Sequence, residues 1–413
     1  MLNKILLALL FAYVFLAPFE DLLSYLYGVD TIFKPYRLAG LGMLLLGFFK
    51  NWKDKPFFVF PPDKVLALFL GYGILYTLFL YGLGCQVNLG QFANAMIQTT
   101  FLFLIHLTVK RMDISYSLLP KLLAVMSVGI ALNAAIIALN FYVFQLSSRE
   151  KGLSDNSNYA AFGMVVASLF FLWKIIQNKY RIGSLRTWLY SALVAFLFVS
   201  ILATGSRTGF LLFVICSFVF LFVLSASGKR FQLLPYLIVV SGILMSSSSF
   251  REMLRRTIIF NRLEHATEDV RVPLAKAGME AIWYSKFMGI GVAQMMDQKN
   301  FKKFMAPVNM RLVRAIEKRN KGLGLHNMYL ELTVETGLLG ISLFLFYLYR
   351  VLAYQWRMLR TSAYREIHEL LFVLFLAALL MALTGKGILG ALFWLMYTLA
   401  SVYFKKDEET EQA

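Results

Sequence analysis

The segment at 322–340 reads GLGLHNMYLELTVETGLLG, and it opens a long apolar run with His326 and Asn327. An imidazole with a pKa of about 6.5 accepts a proton near neutral pH. Positive charge around it lowers that pKa and keeps the ring neutral. Arginines are placed to supply such charge: Arg207 in ATGSRTGF and Arg271 in DVRVPLAKAGMEAIWYS. A guanidinium does not deprotonate and matches phosphate oxygens in bidentate fashion. Together these groups suit attack by a hydroxyl on a carbon whose leaving group is a phosphate ester. Such a group departs as a stable anion, so it needs charge stabilisation rather than a general acid. Each residue also has a plain structural alternative. His326 can be an interfacial or helix-capping histidine, Arg207 a snorkelling arginine, and Arg271 half of a loop ion pair with Glu268 or Asp269. Arg37 in FKPYRLAG is a further candidate, as are Arg311 and Arg314 farther along.

The other histidines do not add a metal site. His106, His265 and His368 stand at no ligand spacing with one another or with a cysteine, so neither a metal nor a cofactor is expected. A Walker loop and an Asp-x-Asp pair are also missing from the sequence. Cys85 and Cys216 fall in a loop and in an apolar run, which does not indicate a disulfide.

The elements that must position these residues are apolar. Of 413 residues, 59% are hydrophobic and only 15% charged, against roughly a quarter charged in soluble chains. Apolar runs of about 20 residues, enough to cross a hydrocarbon core, recur along the chain. The expected fold is an all-α polytopic membrane protein with about twelve spans. The ranges are 3–19, 33–49, 64–83, 90–109, 118–145 (with a break), 158–177, 187–204, 207–227, 231–248, 327–349, 366–384 and 387–404. Residues 204–207 form a tight turn. The organisation is spans one to nine in 1–248, a large partly helical periplasmic loop at 249–325, spans ten to twelve in 326–404, and a tail at 405–413.

Orientation follows the concentration of Lys and Arg in alternate short loops, among them Lys50, Lys53, Lys55, Lys179, Arg181, Lys229, Arg230, Arg357 and Arg360. Both termini are therefore expected to be cytoplasmic, which puts His326, Arg207 and Arg271 outside. The 249–325 loop carries 15 Lys or Arg against seven Asp or Glu. That basic surface suits phosphates, or the anionic headgroups of the lipid bilayer, and no nucleic acid partner is implied. Within it, Val272, Ala275, Met279 and Ile282 recur at helical spacing, MGIGVAQM makes a Gly-x-Gly turn, and 301–322 reads as a basic amphipathic helix broken at Pro307. The step Gly337 to Gly340 lets another helix approach closely.

LHNMYLELTVETGLLG resembles the His-Asn-x-x-Leu…Glu-x-Gly-x-x-Gly signature of the O-antigen ligase and polymerase family. SDNSNYAAFGM resembles the start of that family's central span, and this brings in Asn158. LATGSRTGFLL resembles its Ser-Arg turn, and VRVPLAKAGMEAIWYSKFMGIGV its Arg…Gly-x-Gly block, here with Phe287-Met288 in place of the proline. The resemblance covers about 150–345. It implies a metal-independent, inverting glycosyltransferase of the bacterial inner membrane whose donor is an undecaprenyl-diphosphate-linked glycan. His326 would be the base or the acceptor-positioning residue. Arg207 and Arg271 would hold the diphosphate. Apart from the resemblance, Arg37, Asn158, Asn327, Arg311 and Arg314 are expected as substrate-binding residues. The acceptor is lipid A–core for a ligase, or a second lipid-linked glycan for a polymerase. A secondary transporter is the alternative from another class, and it predicts paired halves with matching broken helices.

Overall fold

The computed structural model describes residues 2–27, 34–50, 56–146, 149–177, 184–224, 270–317, 324–385 and 390–404, with the side chains of 315–317 excepted. Among them every regular element is a helix. In chain order these are α1 (Leu2–Leu16), α2 (Leu22–Tyr27), α3 (Pro35–Phe49), α4 (Asp63–Gly82), α5 (Leu89–Arg111) and α6 (Leu118–Ala138) with a π-helical turn after it. Then come α7 (Ser157–Gln177), α8 (Leu185–Ala203), α9 (Arg207–Phe218), α10 (Arg271–Tyr284), α11 (Gln298–Met305) and α12 (Met310–Glu317). The last three are α13 (Met328–Thr361), α14 (Arg365–Ala382) and α15 (Ala391–Ala400).

Helices occupy eleven of the twelve expected ranges. The ninth, 231–248, lies outside the described residues. Six are long and apolar enough to cross a membrane: α4, α5, α6 with its extension, α7, α8 and α13. α1, α3, α9 with its extension and α15 are apolar but shorter. α14 opens on Arg365, Glu366 and Glu369, which lower its apolar content.

α7 is the hub. It is apolar on every side, as a helix buried all round must be, and 160–173 is buried without interruption. Gly209 lets α9 cross it closely, since a Cβ there would stand 2.3 Å from the Ala161 Cβ.

α13 departs from expectation twice. It runs on to Thr361 rather than stopping near 349, because Arg350, Arg357 and Arg360 end the apolar run without ending the helix. It is also broken at Gly337, which has φ 66° and ψ −170°. The close approach at this glycine comes from a loop rather than from a helix. A Cβ on Gly337 would lie 2.3 Å from the Met288 carbonyl oxygen, and one on Gly289 (φ 97°) 2.7 Å from the Glu335 oxygen. The Gly-x-Gly turn thus docks into the break. Ile290 N donates to Val334 O (2.9 Å), Gly291 N to Glu335 O (3.0 Å) and Leu338 N to Phe287 O (3.0 Å).

Residues 270–317 build a second small core, in which Leu274, Ala281, Phe301, Phe304 and Val313 pack with Leu325 and Val334 of the α13 region. Of the stripe read from the sequence on α10, only Ile282 is buried. Val272, Ala275 and Met279 face outward, and Leu274, Ala277, Gly278 and Ala281 form the packed face. The basic amphipathic stretch is two helices, α11 and α12, broken at 306–309 as Pro307 requires. Cys85 is exposed, Cys216 is buried, and both are free thiols.

Candidate functional site

At the end of the bundle where α7, α9, α10 and α13 begin lies a cavity of about 580 Å³. Its wall includes Arg149, Lys151, Asp155, Asn156, Asn158, Tyr159, Arg271, His326 and Thr384. Arg271 and His326 are therefore brought together from positions 55 residues apart in sequence.

Helix starts dominate the geometry. Asn156 caps α7, its Oδ1 accepting from Asn158 N (2.9 Å) and Tyr159 N (3.0 Å). Ser206 caps α9, its Oγ accepting from Gly209 N (3.1 Å). Asn327 caps α13, its Oδ1 accepting from Leu330 N (3.1 Å). α10 begins at Arg271 with no side-chain cap. Each helix start presents about half a positive charge, and helix starts are natural anion sites. The starts of α7 and α10 and the residue before the α13 cap lie at the cavity wall, and the start of α9 is tied to that wall through Ser206 and Asn158.

Asn158 ties the parts together. Its Oδ1 accepts from Ser206 Oγ (2.8 Å) and from Arg149 Nη2 (3.1 Å). Arg207 is the residue after Ser206 and the first of α9, half-buried. It is not part of the cavity lining, and lies one residue from a direct bond to it. His326 takes a left-handed backbone (φ 54°) immediately before the Asn327 cap. Histidine tolerates that region better than most side chains.

The remaining candidates divide. Asn327 spends its side-chain oxygen on capping, and Glu331, one turn on, lines a different cavity with Glu335. That second cavity measures about 60 Å³ and, apart from Thr99 and Thr336, is otherwise apolar, lined by α4, α5, residues 292–296 and the first half of α13. Arg37 is not part of the main cavity's lining, and its guanidinium lies 6.0 Å from the Tyr36 ring centroid. Lys34, just before α3, reaches Asp155 of the wall at 3.8 Å. Arg311 and Arg314 are exposed on α12 and are not part of the cavity lining. Glu268, Asp269 and His265 lie outside the described residues.

Sequence reasoning missed Arg149, Lys151 and Asp155 as wall residues. Asp155 lies inside the SDNSNYA block, and Arg149 and Lys151 come just before it. The structure supplies what holds them. Asn133 of α6 accepts from Leu153 N (2.7 Å) and donates to Ser154 Oγ (2.9 Å), and Lys151 pairs with Asp21 at 2.6 Å. Nearby, Glu20 accepts from the Ala391 amide at the start of α15, and burial pushes its carboxyl up to about 7 against the pull of Lys34.

His106 and His368 sit at the opposite end, fully buried and doubly bonded. His106 meets Asp63 (3.1 Å) and Thr398 (2.9 Å), while His368 meets Tyr116 and Gln355 (3.0 Å each).

A bundle of apolar helices with a basic, helix-start-lined cavity at one end defines a multi-pass membrane protein. Residues 192–345 match the family model described as O-antigen ligase. The segment contains Arg207, Arg271 and His326, and the match supports a membrane glycosyltransferase of the O-antigen ligase or polymerase type. A comparison with curated proteins finds no match.

Proposed function

We propose that this protein transfers a glycan from undecaprenyl diphosphate to a hydroxyl of a lipid A–core acceptor on the periplasmic face of the bacterial inner membrane, without a metal and with inversion at the anomeric carbon. The observation that carries this reading is the joint placement of Arg271 and His326 in one cavity whose wall holds the starts of α7 and α10 and the residue before the α13 cap. In this reading Arg271, Arg207 and Arg149 hold the diphosphate with the helix starts. The leaving group departs as an anion already matched by fixed positive charge. His326 accepts the proton of the attacking hydroxyl or orients it. Asn158 keeps Arg149 and the Ser206–Arg207 turn in register, and Lys151 and Asp155 bound the cavity on the sugar side. The surplus of basic residues in 249–325, Arg311 and Arg314 included, favours a phosphate-rich acceptor.

The test uses purified protein, a lipid-linked glycan donor and two acceptors in parallel. Glycosylated core lipid is expected, with release of undecaprenyl diphosphate. Elongated lipid-linked glycan instead identifies a polymerase. An intact donor with either acceptor overturns the reading.

A further inference from the structure

Residues 283–293 belong to a stretch that the sequence places outside the membrane, yet their contacts lie at membrane depth. The Gly-x-Gly turn is fixed to the start of the last third of α4: Tyr76 OH donates to Gly289 O (2.8 Å), and Val292 N donates to Thr77 Oγ1 (3.0 Å). α4 continues to Gly82, which places the turn about 8 Å below that helix end at 1.5 Å per residue. Exposed apolar side chains run past this level, with Phe79 60% and Leu83 63% accessible. On the other flank, Leu338 and Leu339 are more than half exposed just beyond the Gly337 break. The turn thus sits within the apolar belt rather than above it.

We infer that 283–293 is a re-entrant element, in which the end of α10 and the turn after it dip into the cavity-side half of the bilayer and present apolar side chains to lipid. Two features fit this. Irregular backbone is tolerated at such depth only where its polar groups are satisfied by protein, and here Gly289 O and the amides of Ile290, Gly291 and Val292 are all bonded to α4 or α13. The outward surface is also graded. Trp283 (62%), Tyr284 (63%) and Met288 (61%) are exposed, Lys286 is exposed between them and has a long stem able to carry its ammonium toward the headgroups, and the Lys303 ammonium lies 3.6 Å from the Tyr284 ring centroid. Trp and Tyr beside a lysine suit the headgroup boundary. Met288 has its carbonyl against Gly337, the residue just before the exposed Leu338 and Leu339. The partner is the bilayer itself, and the element sets the height of the cavity above it.

The full chain with Cys85→Ser and Cys216→Ala is given single cysteines by Trp283→Cys, Met288→Cys, Leu339→Cys or Arg311→Cys, spin-labelled and placed in phosphatidylcholine–phosphatidylglycerol nanodiscs. The ratio of oxygen to nickel-chelate relaxation is then measured. At 288 it should match 339 and exceed 311 several-fold, with 283 between. Equal nickel access at 288 and 311 overturns the proposal, as does protection of 288 from both reagents, which signals a second copy of the chain covering the patch. The unsubstituted protein, photolabelled by lipids carrying a diazirine in the acyl chain, should yield adducts at 283–288. Adducts confined to 338–349 would also overturn it.

Discussion

The two ends of the helix bundle handle polar groups in opposite ways. At the end remote from the cavity, Asp63 meets Lys110 at 2.7 and 2.9 Å and His106 at 3.1 Å, with all three side chains within 3% of fully buried. His368 is likewise held on both ring nitrogens. These charges join α4, α5 and α15, and their bonding capacity is spent on one another. At the cavity end, Arg271 and His326 are half-buried and line open volume, with Ser157 at the start of α7 in the same wall. One end uses polar residues as fastening, while the other concentrates positive charge around a space. A histidine's type and depth therefore say little by themselves, and what its ring faces distinguishes the two roles.

Substitutions should separate these roles by what they change. The largest expected effect is on turnover. His326→Asn, which tolerates the left-handed backbone, should reduce glycan transfer by about 10²–10⁴-fold if the ring moves a proton, with an unchanged melting temperature. Equal loss of stability and activity would assign His326 to the fastening class.

Next comes the opposite end. Lys110→Met strands the buried Asp63 charge and should cost about 3–5 kcal/mol of stability. The measurement is thermal unfolding in detergent, together with the yield of folded protein. Near-normal stability would mean that the remote cluster is not a fastening.

A smaller effect is expected at the break between α13 and the glycine turn. Gly337→Ala forces a Cβ against the Met288 carbonyl in a left-handed conformation, at a cost of about 1–3 kcal/mol. It should loosen 287–293 first, read by faster amide exchange at Ile290 and Gly291.

The smallest effect concerns Glu20. A carboxyl raised from 4.5 to about 7 holds a proton in the folded chain that the unfolded chain has released. Stability should therefore fall as pH rises from about 4.5 to about 7. Glu20→Gln should flatten that part of the melting temperature–pH profile. An unchanged slope would show that Glu20 is solvated.

Much of this architecture is visible in the sequence because apolar run length is a direct consequence of crossing a bilayer, and eleven of the expected ranges hold a helix, with α13 running past its own. The tight turn at 204–207 and the break at Pro307 follow from local chemistry. What escaped is tertiary. Gly337 looks the same in sequence whether it packs against a helix or breaks one. α10 carries apolar or small residues on two faces, so periodicity alone did not choose the buried one. Arg149 and Lys151 join the cavity only because Asn133 and Asp21 fold their segment back onto the helix starts, and no spacing rule encodes that.

The central claim is that the lipid-linked diphosphate binds at the basic cavity. A donor analogue with a photoreactive group on its diphosphate, crosslinked to the full-length protein in nanodiscs and mapped by mass spectrometry, tests it most directly. The account predicts adducts within 149–159, at 271–274 and at 326. Adducts concentrated in the small cavity at 69–99 and 331–336, or at the Asp63–Lys110 end, would contradict it.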